Sequence, residues 1–349
     1  MNSVTLTNFR GIDKLTIPFS KATMLTGPNG VGKSSILEGL YCLFSETRLD
    51  VMPLARYGRR IGIANPHSGM TVGIADHYSY NYSIFWDECP KYGNSTCSVS
   101  AQFNGLDWEW RYRKIKNLSE LSTELAAAAN PPGWPVYALT EYALWDWSIK
   151  GKNINEEQTR AQALYSAGHG MHIFPAENEA RSFCKYIDFA TIRAMPAKLT
   201  FQVSKRLAEA LRLINPHVTD IRFEGADSGL SVILDDEYST SLDTLGNGAV
   251  TLVNVLIVIF EALEAQSRTK PDEPIIVLID EIGAAMHYTV MLEIWKYLKV
   301  LLEKYPNMYF ISTSHSNDCI RAFSETFING EDSNANLINI SKDGEKFII

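Results

Sequence analysis

The sequence lacks the cysteine patterns that mark zinc sites and disulfide frameworks. Its five cysteines include no C-x-x-C pair and no histidine partner at zinc spacing; they are Cys42, Cys89, Cys97, Cys184 and Cys319. We therefore expect reduced thiols that lie mostly in the core, as is usual for a cytosolic protein. No metal site built on sulfur ligands is indicated.

The chain also lacks an excess of basic residues, a membrane-length apolar run and a signal peptide. Its formal net charge of −8 gives no sign of the basic face that nucleic-acid-binding proteins usually carry. The longest apolar run, residues 249–260, is interrupted by Thr251 and Asn254 and is shorter than the roughly 20 residues of a membrane span. The first residues run directly into alternating apolar and polar positions, so we expect a cytoplasmic protein without a membrane anchor.

What is present is the composition of an ordinary globular protein. The 349 residues are 46% hydrophobic and 21% charged, which is enough for two domains or one large domain. There is no internal repeat, no long heptad array and no low-complexity tail.

The most informative motif is residues 27–34, whose sequence GPNGVGKS satisfies the pattern G-x-x-x-x-G-K-[ST] in full. It stands between Ala22–Thr26, a predicted buried strand, and residues 34–44, a predicted apolar helix. In such a loop the main-chain N–H groups and the lysine face phosphates, and the hydroxyl binds Mg²⁺. The sequence therefore predicts a nucleoside triphosphate site, with Mg²⁺ on Ser34, formed by Asn29, Gly30, Val31, Gly32, Lys33, Ser34 and Ser35.

A second motif places two acids at the end of an apolar strand. Residues 275–279 are all apolar and are followed by Asp280 and Glu281. We expect Asp280 to hold Mg²⁺ through water and Glu281 to orient and deprotonate the attacking water. An acidic loop after a core strand is the ordinary alternative, but the phosphate-binding pattern favours the paired site.

A third strand, residues 308–313, leads into Ser314 and His315. We expect His315 to contact the γ-phosphate, with a structural histidine as the alternative. Residues 288–304 then form the crossover helix that two parallel neighbouring strands require.

Further strand signals indicate an antiparallel layer. Residues 4–9 and 14–19 alternate on either side of Gly11 and predict two antiparallel strands. More strands are expected at residues 70–74, 78–86, 97–103 and 108–114, with Asn104-Gly105 as a hairpin turn between the last two. Base stacking is one role for the aromatic residues of this layer, but packing on a half-buried sheet is favoured.

The middle of the chain carries mixed signals. Residues 117–129 predict a helix that the Asn-Pro-Pro-Gly sequence after it ends, and residues 135–144 predict a strand. Residues 155–213 show mainly helical spacing. A second hairpin is expected from residues 219–224 and 230–234.

Taken together, these motifs resemble an ATP-binding-cassette-type (ABC-type) ATPase of the RecF, structural-maintenance-of-chromosomes and overcoming-lysogenization-defect group. Residues 8–11 (NFRG) resemble the opening of these heads, residues 27–34 and 280–281 their Walker A and B motifs, and His315 their switch histidine. The sequence TLGNG at residues 244–248 resembles their signature segment with glycine in place of serine, a variant that moves the likeness toward overcoming-lysogenization-defect heads. The resemblance implies ATP as the nucleotide and further contacts to it from Arg10, Gly246, Asn247 and Gly248.

The implied fold is α/β: a P-loop NTPase of ABC-head type with a mixed or parallel core sheet, a flanking antiparallel β layer and an inserted helical lobe. Residues 1–130 then carry the Walker A part of the ATPase lobe and the antiparallel layer. Residues 131–245 form the inserted, mainly helical lobe, and residues 246–349 carry the signature helix, Walker B and the switch histidine.

The resemblance implies an ATP hydrolase in which two copies sandwich ATP, so a homodimer or higher homo-oligomer is expected. Relatives with a Toprim nuclease carry it after the switch histidine, where this sequence has only residues 318–349. We therefore expect a separate effector, such as a nuclease or toxin, as in prokaryotic phage-defence systems. A transporter subunit and a non-hydrolysing scaffold are disfavoured alternatives.

The main alternative is a RecF-like or chromosome-maintenance-like ATPase clamp that binds DNA in repair. Its candidate DNA contacts are two basic clusters with interleaved aromatic residues, at residues 56–60 and 111–116. A solvated surface is the ordinary alternative for both clusters.

Overall fold

The structure is a computed structural model. It describes residues 2–44, 91–115, 142–151, 161–166, 170–174, 183–188, 200–223, 230–235, 237–269, 272–283, 286–329, 334–343 and 346–348. The predicted strands at residues 70–74 and 78–86, the predicted helix at residues 117–129 and most of the predicted strand at residues 135–144 lie outside these residues.

The described secondary structure is rich in strands. The strands are β1 (Asn2–Phe9), β2 (Ile12–Phe19), β3 (Ala22–Thr26), β4 (Thr96–Phe103), β5 (Leu106–Ile115), β6 (Tyr142–Gly151), β7 (Ala161–Ser166), β8 (Gly170–Phe174), β9 (Phe183–Asp188), β10 (Val218–Phe223), β11 (Leu230–Leu234), β12 (Tyr238–Ser241), β13 (Ile275–Asp280), β14 (Met308–Thr313), β15 (Ala335–Asn339), β16 (Ser341–Asp343) and β17 (Lys346–Ile348). The α-helices are α1 (Lys33–Phe44), α2 (Phe201–Leu211), α3 (Asn247–Thr269), α4 (Tyr288–Lys304) and α5 (Asn317–Phe323), with a 3-10 turn at Leu242–Leu245 and a π turn at Ser324–Ile328.

The chain divides into two compact units. The first unit combines Met1–Phe19 with Glu38–Arg181, and the second combines Ser20–Leu37 with Ser182–Ile349. These bounds differ from the predicted divisions at residues 130 and 245. The difference arises because strands that are distant in the sequence pair in the same sheet.

A seven-stranded antiparallel sheet organises the first unit, with strand order β2-β1-β4-β5-β6-β7-β8. The predicted hairpin between β4 and β5 is confirmed. Asn104 and Gly105 have φ angles of 52° and 75°, the left-handed pair that an Asn-Gly turn supplies. Phe44, the last residue of α1, packs its ring against Phe103 and Trp108 at centroid distances of 5.2 and 5.0 Å.

A five-stranded parallel sheet organises the second unit, with strand order β15-β3-β14-β13-β9. Strands β3, β13 and β14 are buried along their whole length, as their continuous apolar sequences predict. Helix α4 connects β13 to β14, in the place predicted for the crossover helix. The carboxyl ends of parallel strands meet at one edge, so Thr26, Asp280 and Thr313 are brought together.

The prediction of a mainly helical lobe at residues 155–213 is wrong for the residues that the structure describes. These residues form three strands, β7, β8 and β9, and one helix, α2. Two of the strands complete the antiparallel sheet and one forms an edge of the parallel sheet. Three-to-four spacing of apolar residues did not decide the structure because pairing with distant strands was available. The predicted hairpin of β10 and β11 is confirmed, with β12 added to it.

Helix α3 is longer than the predicted apolar run. Its stretch Gly248–Ser267 is long and apolar enough to cross a membrane by length and composition, and 67% of that window is buried inside the protein. Both properties fit a core helix of the second unit. Four of the five cysteines lie in described residues, and all four are buried and reduced.

Candidate functional site

The phosphate-binding loop begins where the buried strand β3 ends. Gly27 has a φ of 132°, and an ideal Cβ on it would lie 2.0 Å from the carbonyl oxygen of Ile340. The loop therefore passes too close to the neighbouring backbone for any side chain at this position. Gly30 has a φ of 77° and open space around it. Asn29 and Gly30 are exposed, so this part of the loop faces solvent, where a ligand has access.

Helix α1 starts at Lys33, directly after the loop, and its first turn points N–H groups outward at its positive dipole end. The Lys33 ammonium donates to the carbonyl oxygens of Gly27 and Pro28 at 2.8 and 2.9 Å. Burial lowers the pKa of Lys33, and the nearby charges of Asp280 and Glu281 oppose that shift. The cation is thus held over the loop, beside both acids of the site.

Asp280 ends β13 and is 5% exposed. Ser34 Oγ donates to Asp280 Oδ1 at 3.0 Å, so the two predicted magnesium ligands are brought together. A hydroxyl and a carboxylate are oxygen donors of the kind that Mg²⁺ prefers beside phosphates. The residues present therefore fit Mg²⁺. Within the described residues there is no cluster of three or more histidine, cysteine or acidic residues for another metal.

Two hydroxyls that sequence reasoning missed also reach Asp280. Thr313 Oγ1 donates to Asp280 Oδ1 at 2.6 Å, and the Tyr186 hydroxyl donates to Asp280 Oδ2 at 2.9 Å. Thr313 is a polar residue at the end of an apolar strand, which is a signal that the sequence offered. Tyr186 lies on β9, in a range predicted as helical, and no sequence signal placed it here.

Glu281 follows Asp280 and turns the chain out of the sheet. Its φ is 58°, in the left-handed region that few residues other than glycine adopt. Its main-chain N–H donates to Thr313 Oγ1 at 2.8 Å, and its residue is exposed. The site thus offers an accessible carboxylate one residue beyond Asp280, which is predicted to hold Mg²⁺.

His315 is exposed in the turn between β14 and α5. Its neighbours are anchored: Ser314 Oγ donates to the carbonyl oxygen of Ile282 at 2.9 Å, and the Ser314 N–H donates to that of Leu25 at 3.1 Å. Ser316 caps α5 by accepting from the Cys319 N–H at 3.3 Å. The turn that carries His315 is therefore fixed to β3 and to the segment after β13. Its contact with a γ-phosphate stays a prediction.

The signature segment forms a 3-10 turn followed by the start of α3. Gly246 is exposed and has a φ of 88°, and α3 begins at Asn247 with Gly248 in its first turn. The predicted glycine-rich helix start is therefore present. Whether Gly246, Asn247 and Gly248 contact a nucleotide stays a prediction.

Arg10, a further residue of the resemblance, has a structural partner, as does the neighbouring-motif histidine His287. The Arg10 Nε lies 2.9 Å from Glu38 Oε2, within the first unit, and a nucleotide contact by Arg10 stays a prediction. His287 caps α4, where its Nδ1 accepts from the Thr289 N–H at 3.4 Å.

Comparison with known proteins identifies a protein family that matches the first part of the chain. Residues 1–100 match the family described as "AAA ATPase domain". No curated protein matches the sequence at a significant level. Two similar solved structures are a chromosome-maintenance (Smc) head bound to the C-terminal winged-helix domain of ScpA and the SMC head domain from Thermotoga maritima. The first is 15% identical with a TM-score of 0.46 and the second 13% identical with a TM-score of 0.45; each match covers 99% of this chain and 96% of the other. At such identities and TM-scores the likeness supports no conclusion about function.

The predicted fold class is confirmed in its P-loop core, its parallel sheet and its antiparallel sheet. The prediction of an ATP hydrolase is confirmed by the match to an ATPase domain. Lys33 and Ser34 of the phosphate-binding loop and Asp280 and Glu281 at the end of β13 lie together at one edge of the parallel sheet.

Proposed function

We propose that this ATPase uses Mg²⁺, pairs with a second copy of itself when ATP is bound, and through that pairing controls a separate effector protein. The observation that carries the proposal is the meeting of Lys33, Ser34, Asp280 and Glu281 at the carboxyl edge of one sheet. Phosphoryl transfer depends on positioning and on charge neutralisation, and these four residues supply both.

The loop of residues 27–34 and the first turn of α1 bind the phosphates through main-chain N–H groups. Lys33 exchanges the carbonyl oxygens of Gly27 and Pro28 for phosphate oxygens, at little cost because its ammonium already lies over the loop. Ser34 and Asp280 would hold Mg²⁺, which when bound neutralises phosphate charge. Glu281 orients the attacking water and accepts its proton.

Pairing of two copies is supported by the signature segment. Gly246 is exposed, and the N-terminus of the 23-residue helix α3 follows it directly. Main-chain N–H groups at such a helix start bind anions, and they would do so on ATP held by a partner copy. ATP then acts as the bridge between the two chains.

Control of a separate effector is supported by the structure of the residues that follow His315. Strand β15 pairs with β3, so that part of the chain completes the ATPase sheet itself. In this proposal the effector chemistry, that of a nuclease or toxin, comes from another polypeptide. A prokaryotic phage-defence system, close to the overcoming-lysogenization-defect group, is the biological setting that the sequence resemblance suggests.

DNA binding in repair is the second candidate. Of its two basic clusters, residues 56–60 lie outside the described residues. In the other, Arg111 is exposed but pairs with Glu109 at 2.7 Å, which neutralises part of its charge. Salt-dependent DNA affinity that disappears on charge reversal at Arg111 and Arg113 would favour this candidate over effector control.

The decisive test is phosphate release from ATP and Mg²⁺ by the wild-type chain, Lys33→Ala and Glu281→Gln. We expect release by the wild type alone, because the first variant loses phosphate binding and the second the group that activates water. Equal release by all three proteins would overturn the assignment of the site. Copurification of an effector with the wild-type chain, and loss of phage resistance in cells carrying Glu281→Gln, test the biological role.

A further inference from the structure

A single buried hydroxyl lies between the two acids of the site. Thr313 is 1% exposed, and its Oγ1 donates to Asp280 Oδ1 at 2.6 Å. The same oxygen accepts the main-chain N–H of Glu281 at 2.8 Å. One side chain on β14 therefore contacts both the magnesium ligand and the backbone of the residue that activates water.

The backbone at Glu281 needs such support. A φ of 58° is unfavourable for a residue with a Cβ, because the Cβ crowds the backbone in the left-handed region. Thr313 holds this turn with two of its oxygens. Its hydroxyl accepts from Glu281, and its carbonyl oxygen accepts from the Ile282 N–H at 2.9 Å. Loss of the hydroxyl would release only the first of these bonds.

The second carboxylate oxygen of Asp280, Oδ2, also accepts a hydrogen bond. Tyr186 stands level with Leu278 in the pairing of β9 with β13, and its hydroxyl donates to Asp280 Oδ2 at 2.9 Å. With Thr313 on Oδ1 and Tyr186 on Oδ2, rotation of the buried carboxylate would break a hydrogen bond in either direction. Such partners of a metal ligand fix its orientation.

We propose that Thr313 and Tyr186 are positioning residues of the ATPase site. Tyr186 orients Asp280 alone, whereas Thr313 orients Asp280 and also fixes the turn that carries Glu281. The inference rests on the proposed function, because it assigns these residues to magnesium binding and water activation. Neither residue needs to touch the nucleotide.

The test uses the full chain and three variants. Thr313→Val keeps the shape of the side chain and deletes the hydroxyl, Thr313→Ser keeps the hydroxyl, and Tyr186→Phe deletes the hydroxyl that donates to Asp280. The first readout is residue-resolved amide hydrogen exchange of the nucleotide-free protein. We expect the Glu281 amide to exchange at least about tenfold faster in Thr313→Val, since its bonded acceptor is lost. The Ile282 amide should keep its wild-type rate in all three variants.

The second readout is the affinity for ATP measured at increasing Mg²⁺ concentrations. For Thr313→Val and Tyr186→Phe we expect the magnesium midpoint to rise about 10-fold to 100-fold, with unchanged nucleotide affinity in the absence of Mg²⁺. Thr313→Ser should restore both readouts to wild-type values.

Two results would overturn the inference: wild-type exchange at Glu281 in Thr313→Val, or a wild-type magnesium midpoint in Tyr186→Phe. Thr313→Ala makes the same deletion and is interpreted in the same way if the valine variant does not fold. Failure of the proposed function is distinguishable, because a wild-type chain that does not bind ATP at all leaves the exchange readout intact.

Discussion

The Ser34 hydroxyl lies 3.0 Å from Asp280 Oδ1, although 246 positions separate the two residues in the chain. The contact joins the start of α1 to the end of β13 and closes the proposed magnesium site. We expect Ser34→Ala and Asp280→Asn each to lower magnesium-dependent phosphate release by at least about 100-fold, since a metal ion contributes several kcal/mol of charge stabilisation. Binding of ATP without Mg²⁺ should be retained.

The control for this pair is Ser267→Ala, which removes an exposed hydroxyl from α3. Titration of phosphate release against Mg²⁺ at saturating ATP measures the effect. A magnesium response of Asp280→Asn equal to that of the wild type would remove Asp280 from the metal site.

The glycines of the loop should differ in their tolerance to a side chain. In Gly27→Ala the new Cβ would lie 2.0 Å from the Ile340 carbonyl oxygen, so we expect a loss of more than about 3 kcal/mol in the free energy of unfolding. Gly30→Ala has open space and carries only the backbone cost of about 1–2 kcal/mol. Urea unfolding curves of the two variants measure the difference. Equal free energies of unfolding for the two variants would show that Gly27 does not lie close to the Ile340 backbone.

The sequence predicted those parts of the site that depend on a short stretch of neighbouring residues. The phosphate-binding loop, the Asp280-Glu281 pair and the Asn104-Gly105 turn are short patterns whose residue types are dictated by nearby backbone geometry. All three are present where they were predicted. Their local geometry could therefore be predicted without knowledge of the fold.

The hydrogen bonds that Tyr186 and Thr313 donate to Asp280 could not be predicted in this way. Both depend on which strands are neighbours, and β9, β13 and β14 become adjacent only through pairing across long stretches of chain. The same cause explains why the two compact units differ from the predicted divisions at residues 130 and 245. Strand β15 from near the end of the chain pairs with β3 from near its beginning, so no single cut in the sequence separates the units.

His315 should affect the chemical step more than binding. It is exposed between two anchored serines, which suits a side chain that reaches a phosphate only when ATP is present. We expect His315→Ala to lower kcat about 100-fold with a small change in KM, as when a donor to developing charge is removed. His217→Ala, which removes an exposed histidine paired with Asp235, is the control. A change confined to KM would assign His315 to ground-state binding.

Alkaline pH should weaken the fold through the half-buried phenol of Tyr297. Burial raises the pKa of Tyr297 from 10.0 to about 12. Between these values the unfolded chain has lost the phenolic proton and the folded chain keeps it, so stability falls as pH rises from 10 to 12. We expect this tyrosine to contribute about 2 kcal/mol to that fall, allowing for its partial exposure.

Tyr297→Phe should flatten the dependence of the unfolding free energy on pH in this window, while Tyr238→Phe, on an exposed side chain, should not. Burial also raises the pKa of the Cys319 thiol, to about 11, and its contribution is common to all three proteins. Denaturant unfolding at pH 9 and at several values from 10 to 12 gives the slopes. Parallel curves for Tyr297→Phe and wild type would contradict the assignment.

Pairing of two copies is tested at the start of α3, where Gly248 accepts a side chain without strain. Among the described residues, an ideal Cβ at this position has only the Met286 Cε within 4 Å, at 3.7 Å, so both Gly248→Ala and Gly248→Asp should fold. In a Glu281→Gln background with ATP and Mg²⁺, we expect the parent and Gly248→Ala to form dimers. Gly248→Asp should stay monomeric, because its carboxylate repels the phosphates of ATP bound by the partner. Light scattering over a range of protein concentrations measures the mass. Dimers of Gly248→Asp as stable as those of Gly248→Ala would exclude the signature segment from the interface, and a Glu281→Gln chain that stays monomeric at every concentration would exclude the ATP-bridged pair itself.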